Sequence, residues 1–334
     1  MDIKSLSTVA KSLVAPEKGI MAADESMGTI QKRFDSVGIE NSEENRKSYR
    51  QMLFATAEIE KYLSGVILFD ETIRDGASSK ILQEKGIIPG IKVDTGKRDL
   101  ADFPGETITE GLDGLTKRLE EYASLGAKFT KWRAAYKISS TTPSRWGMKA
   151  NAHALARFAK DSQEAGLVPI VEPEVLMDGD HTIEKCEEVT TSVLKVVFSE
   201  ILEAKVNLDG MLLKPNMVIH GEASAQKATP QEVAQASVRT LNKVVPAQIP
   251  GIVFLSGGQS SQEACLHLSL MNQLGQQPWQ LSFSYGRALQ APALKAWSGK
   301  TENVESAQKE FLKRCRLTSL ARQGKYSPEM EDDN

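Results

Sequence analysis

The chain has 334 residues, 40% hydrophobic and 25% charged, the make-up of an ordinary globular protein. A net charge of -3, with no long basic or aromatic-plus-basic tract, argues against nucleic acid as a partner. There is no signal-peptide core and no apolar run of about 18 residues, so a cytoplasmic protein without membrane contact is expected.

Residues 1–16 alternate charged and apolar positions like a short amphipathic helix. Eight short apolar runs follow, at 19–24, 65–69, 90–94, 129–136, 168–176, 210–217, 251–256 and 280–285. They are rich in Ile, Val, Leu and Phe, mostly opened by Gly or Pro, and separated by segments of helical period, which predicts buried parallel strands. Helix starts are predicted at three capping boxes. They are Thr107-Ile108-Thr109-Glu110, Thr229-Pro230-Gln231-Glu232 with proline at the first helical position, and Ser260-Ser261-Gln262-Glu263. Residues 182–204 and 229–245 carry apolar side chains three and four apart, the stripe that faces a sheet.

Eight strand-then-helix units without a composition break predict an α/β protein, a single-domain (β/α)8 TIM barrel over residues 1–326. The rival, an open doubly wound sheet, requires a GxGxxG turn after an early strand, and none is present. Residues 327–334 are polar and acidic and are expected to form a mobile tail. Cys186, Cys265 and Cys315 are odd in number, far apart and without a CxxC pair, so free thiols in a reducing compartment are expected.

Most of the runs carry charges that a buried strand should avoid: Asp24, Lys92, Lys131 with Arg133, Glu172 with Glu174, and Lys214. An isolated charge in a dry interior costs several kcal/mol, roughly, so these groups need water, partners or ligands. A barrel supplies such a place, because the C-terminal ends of its strands open into one mouth. Period-2 geometry puts Lys131 and Arg133 on one strand face, and Glu172 and Glu174 on another. A structural ion network filling the barrel is the alternative for any one of these charges.

Lys214 lies in Leu212-Leu213-Lys214-Pro215-Asn216, deep in an apolar run. An ordinary lysine is neutral in only about one molecule in two thousand at pH 7. Burial beside another cation, such as Lys131, offsets the roughly 4 kcal/mol needed to hold it uncharged as an amine nucleophile. Imine formation on that amine also needs a proton shuttle. Glu172 is the candidate, with Glu174 and Asp24 as neighbours, and spacing does not assign the roles among them.

An anion seat is expected at Ser256-Gly257-Gly258-Gln259-Ser260, a glycine turn between a strand and a helix N-terminus. Ser284, Gly286 and Arg287 follow the next strand and extend it, at the seventh and eighth loops where this barrel holds phosphate. A second seat is expected near Ser26, Thr29 and Lys92, with Arg33 and Arg46 nearby, although Ser26 or Thr29 could instead cap a helix. Two anion seats flanking a lysine point to a sugar bisphosphate. Residues 255–259 also spell LSGGQ, but a Walker A loop fails because Leu294 stands where its first glycine belongs before Gly299-Lys300-Thr301. His153, His181, His220 and His267 lack HxH or HExxH spacing, against a catalytic zinc.

Ala22-Ala23-Asp24-Glu25-Ser26, Lys131-Trp132-Arg133, Val171-Glu172-Pro173-Glu174, and the segments 65–69, 90–94, 212–217, 255–260 and 283–290 resemble class I fructose-bisphosphate aldolases, with matching spacing from about residue 6 to 326. The resemblance implies a Schiff base on Lys214 with dihydroxyacetone phosphate, Glu172 as principal acid/base, and Asp24 and Lys131 assisting. It places substrate contacts on Arg33, Arg46, Ser256, Gly257, Gly258, Ser284 and Arg287, with Ser26, Lys92 and Arg133 on the far phosphate side. It implies reversible cleavage of fructose 1,6-bisphosphate to triose phosphates in glycolysis and gluconeogenesis, without metal or other cofactor, in a homotetramer. Two departures stand out. Thr29 replaces a frequent serine, and the end at Glu331-Asp332-Asp333-Asn334 lacks the C-terminal tyrosine of many animal members.

Overall fold

Strands that are apolar on both faces must be covered on both sides, and a ring of them surrounded by helices does this. The computed structural model describes residues 2–332. Its strands are β1 (Gly19–Ala23), β2 (Leu63–Leu68), β3 (Ile88–Lys92), β4 (Gly96–Asp99), β5 (Thr107–Glu110), β6 (Phe129–Tyr136), β7 (Val168–Val175), β8 (Leu212–Leu213), β9 (Gly251–Phe254) and β10 (Gln280–Tyr285). All except β4 and β5 form a closed parallel barrel in the order β1-β2-β3-β6-β7-β8-β9-β10, with β10 returning to β1. The single-domain (β/α)8 barrel expected from the strand-helix alternation is therefore the fold.

Two layers of core follow from the alternation of side chains along each strand. Ile20, Ile67, Phe129, Val168, Ile170, Leu212 and Val253 fill the barrel's interior. The opposite faces, such as Met21, Trp132, Val171 and Phe254, pack against the surrounding helices. The amphipathic N-terminal segment is the helix Ile3–Leu13, and its Leu6, Ala10 and Leu13 join the interior cluster. Glycine makes room for it: a Cβ on Gly65 would lie 2.7 Å from Leu13, and one on Gly251 would lie 2.6 Å from Val14. The helix therefore covers the interior on the side where these strands begin, away from the charged ends.

Capping boxes form at Thr229 with Glu232 and at Ser260 with Glu263, opening the helices Pro230–Val244 and Ser261–Gln273. The third expected box does not form. Thr107–Glu110 is β5, paired antiparallel with β4, and the next helix, Leu115–Ser124, starts from Gly114 instead. Local hydrogen-bonding chemistry suited a cap, but tertiary bonds prevail: Thr109 Oγ1 donates to the Arg133 carbonyl at 2.7 Å.

The expected tail also differs from a free segment. A 3-10 turn at Pro328–Glu331 is held by Glu331, whose carboxylate accepts from Tyr326 Oη at 2.8 Å and from Arg314 at 2.6 Å. Asp333 and Asn334 lie outside the described residues. The three cysteines are buried and unpaired. No helix among the described residues is long and apolar enough to cross a membrane.

Candidate active site

The strand period that fills the barrel with Phe129, Ile170 and Leu212 puts Lys131, Glu172 and Lys214 one step further along the same interior faces. Register confirms the layering, since Lys131 pairs with Ile170, Arg133 with Glu172 and Ile170 with Leu212. β8 is short, but the Lys214 amide continues its ladder by donating to the Val171 carbonyl at 2.8 Å. The lysine is thereby fixed by backbone pairing.

These side chains form a nearly dry network at the base of a cavity of about 370 Å³. Lys214 is 3% exposed, Lys131 4% and Glu172 4%. Lys214 Nζ is 3.2 Å from Glu172 Oε1, and Lys131 Nζ is 3.3 Å from Glu172 Oε2 and 2.6 Å from Asp24 Oδ2. Lys131 is expected near Lys214 as a second cation. Instead, Glu172 lies between the two lysines and Asp24 balances Lys131 from the other side.

Burial alone would raise the Asp24 carboxyl. Lys131 and Lys214, with Lys92, outweigh that and hold it at about 2. Burial likewise opposes the Lys131 charge, but Asp24, Glu172 and Asp94 reverse the effect and push its ammonium well above the usual lysine range. Asp24 and Lys131 are therefore a fixed charge pair at neutral pH.

On one side of the network stand Ser26, Thr29, Lys92, Arg133 and Glu174. Ser26 occupies the N-cap position of the helix Met27–Asp35, yet its hydroxyl meets Thr29 Oγ1 at 3.1 Å and makes no cap bond. Lys92 Nζ binds Asp94 Oδ1 at 2.8 Å, and Arg133 is ion-paired with Glu174. On the other side Ser256, Gly257, Ser284, Gly286 and Arg287 meet, with Arg33 nearby and ion-paired with Glu25. Gly257 has φ +54, a turn suited to glycine. Arg287 Nη2 ties the two loops by donating to the Gly257 carbonyl at 3.1 Å. Ser284 Oγ is buried with no hydrogen-bond partner among the described residues. It is a donor available to a ligand.

The expected helix-terminus seat is only partly available. Ser260 donates its amide to Glu263 at 2.8 Å, so the capping box occupies the end of the helix Ser261–Gln273. The residues left facing the cavity are Ser256 and Gly257 of the turn, with Gly286 and Arg287 at the positive end of the helix Arg287–Trp297.

Four residues of the expected seats, Arg46, Gly258, Gln259 and Ser260, are not on the cavity wall. Arg46 is saturated elsewhere, donating Nε to Glu71 Oε2 at 2.9 Å and Nη1 to Asn41 at 3.0 Å. Gly258 turns its amide to Met177 Sδ at 3.0 Å, away from the other seat residues. All the other candidates line the cavity. Sequence reasoning missed Glu25, Asp94, Lys97 and Thr109 on that wall.

Behind the seat, Gln259 Nε2 donates to the Ser256 carbonyl at 3.1 Å, and its Oε1 lies 2.6 Å from His267 Nδ1. The amide oxygen can only accept, so His267 Nδ1 carries the proton. Burial pushes this histidine down to about 4, with Glu263 opposing and His220 adding to the shift. The unfolded chain, with a histidine near 6.5, binds more protons between those values, so folding stability falls as pH drops from 6.5 towards 4. Wild type should lose about 2 kcal/mol more stability than His267→Gln between pH 7 and pH 5. Urea midpoints at the two pH values measure this, and parallel losses would refute it.

Fold and site together define a (β/α)8-barrel enzyme. The family model for class-I fructose-bisphosphate aldolase matches residues 5–334, and the chain belongs to that family, whose members are lyases. It is 53% identical over 332 residues to the probable fructose-bisphosphate aldolase class 1 of Xanthomonas campestris pv. campestris, covering 98% of this chain and 99% of that one. It is 52% identical over 330 residues to fructose-bisphosphate aldolase B of Gallus gallus, covering 97% and 91%. A solved structure of the Plasmodium falciparum aldolase, in complex with TRAP and a small-molecule inhibitor, superposes with a TM-score of 0.95 at 48% identity, covering 97% of this chain and 95% of that one.

Proposed function

We propose that this protein cleaves fructose 1,6-bisphosphate reversibly to dihydroxyacetone phosphate and glyceraldehyde 3-phosphate through an imine on Lys214. The observation carrying this reading is a buried lysine 3.2 Å from Glu172, in a cavity with anion-binding groups on both sides. Proton transfer to Glu172 frees the Lys214 lone pair, which attacks the C2 ketone. Glu172 then returns a proton to the carbinolamine oxygen, and water leaves to give the iminium.

The C4 hydroxyl next loses its proton to a carboxylate of the network, and the C3–C4 bond breaks. Its electron pair flows into the iminium, leaving an enamine on Lys214 and releasing the aldehyde. Protonation at C3 and hydrolysis return the amine and dihydroxyacetone phosphate. Asp24 stays ionised throughout and holds the Lys131 cation in place, so Glu172 is the group that carries protons. The turn at Ser256 and Gly257, with Ser284, Gly286 and Arg287, holds the phosphate of the dihydroxyacetone half. Ser26, Lys92 and Arg133 take the far one.

By the same reading the enzyme works in the cytoplasm as a homotetramer. Borohydride reduction with dihydroxyacetone phosphate, followed by peptide mapping, should give a stable adduct on Lys214 in wild type and none in Lys214→Ala. An adduct centred on Lys131, or no adduct in wild type, would overturn the assignment.

A further inference from the structure

We infer that Lys97, on the β4–β5 hairpin, binds the far phosphate and sets the preference for bisphosphate over monophosphate sugars. The inference rests on the sugar-bisphosphate reading above and adds a residue to it. The starting observation is how the cavity's cations are committed. Lys92, Lys131, Arg133, Lys214 and Arg33 each form an ion pair with a carboxylate on the same wall. Among the described residues, Lys97 and Arg287 line the cavity without such a pair.

Their placement matches a ligand with an anion at each end. β3, which leads into the hairpin, is third around the barrel from β1, and β9, which leads into the Gly257 turn, is seventh. Opposite sides of the mouth therefore carry one cation each without a carboxylate partner. Arg287 is bound to the Gly257 carbonyl at the β9 side. On the other side, Lys97 pairs in register with Thr109, and Thr109 is anchored to the Arg133 carbonyl at 2.7 Å. The hairpin thus holds Lys97 beside Arg133, the residue already assigned to the far phosphate.

A paired cation meets phosphate only by sharing or leaving its carboxylate, whereas an unpaired ammonium gives its full attraction. Lys97 is exposed, and its flexible stem lets the ammonium follow the phosphate.

The test compares cleavage of fructose 1,6-bisphosphate and fructose 1-phosphate by wild type, Lys97→Ala and Lys97→Arg. In Lys97→Ala the kcat/KM preference for the bisphosphate should fall about tenfold, mainly through KM, as for loss of one charge-assisted hydrogen bond. Lys97→Arg should restore most of it. Lys80→Ala, which removes a charge from the outer helix Ala77–Glu84, should leave the preference in place. Titration calorimetry with the non-cleavable hexitol 1,6-bisphosphate and hexitol 1-phosphate should show the same loss for the bisphosphate. This readout is independent of catalysis, so it separates failure of the Lys97 assignment from failure of the cleavage reading. An unchanged preference in Lys97→Ala, or equal weakening of both ligands, would overturn the proposal.

Discussion

Lys214→Ala is expected to lower kcat for bisphosphate cleavage by about four to six orders of magnitude, the scale seen when a covalent nucleophile is lost. The fold should survive. Glu172 keeps Lys131 at 3.3 Å after the substitution, so no buried carboxylate is left without a cation. Lys214→Arg is the sharper comparison, because it retains a cation but has no amine that condenses with a ketone. It should be as inactive as the alanine variant. Glu172→Gln keeps the shape of the side chain but removes its proton traffic and the charge shared by the two lysines, and a smaller loss of about two to four orders of magnitude is expected. Stopped-assay rates and circular dichroism together check all three. Cleavage retained by Lys214→Arg within tenfold or so of wild type would mean that the lysine acts through its charge, and the imine would have to be abandoned.

Most of the barrel was legible because its strands combine apolar runs with glycine or proline breaks, a pattern few other elements share. Each predicted run contains a barrel strand or overlaps one closely, and the charged residues at their ends do converge in one cavity. The β4–β5 hairpin was hidden for a physical reason. Gly96–Asp99 is polar and mostly exposed, so it has no apolar face to betray a strand, and Thr107–Glu110 imitates a helix cap. Lys97 was lost with it. Arg46 shows the reverse case, a residue placed by sequence beside the seat of Ser26, Thr29 and Lys92. The helix Glu43–Ala55 instead delivers it to Glu71 and Asn41. The family resemblance implies a substrate contact at Arg46, and only side-chain geometry shows it off the cavity wall. At the C-terminus, Glu331 reads as one more acidic tail residue until Arg314 and Tyr326 are seen to face it.

Lys131→Met should be the most destabilising conservative-volume change in the site, by about 3–5 kcal/mol, because it strands the buried Asp24 carboxylate and leaves Glu172 with a single lysine. Asp24 loses its 2.6 Å partner and Glu172 one of its two lysines. The pH dependence should change sign as well. In wild type the Asp24 carboxyl sits at about 2, below its unfolded value, so its contribution is present above about pH 4 and is lost as pH falls through 2. Without Lys131, only Lys214 and Lys92 still oppose burial, and that carboxyl is expected to rise above its unfolded value. Its contribution is then greatest in acid and declines as pH rises. Thermal melts of Lys131→Met should therefore worsen from pH 5 to pH 7 relative to wild type. Adding Asp24→Asn, which removes the stranded charge while keeping its shape, should recover a substantial part of the loss although activity stays low. If the double variant is no more stable than Lys131→Met, the cost lies in packing rather than charge, and the view of Asp24 and Lys131 as a mutually dependent pair holding Glu172 in place does not stand.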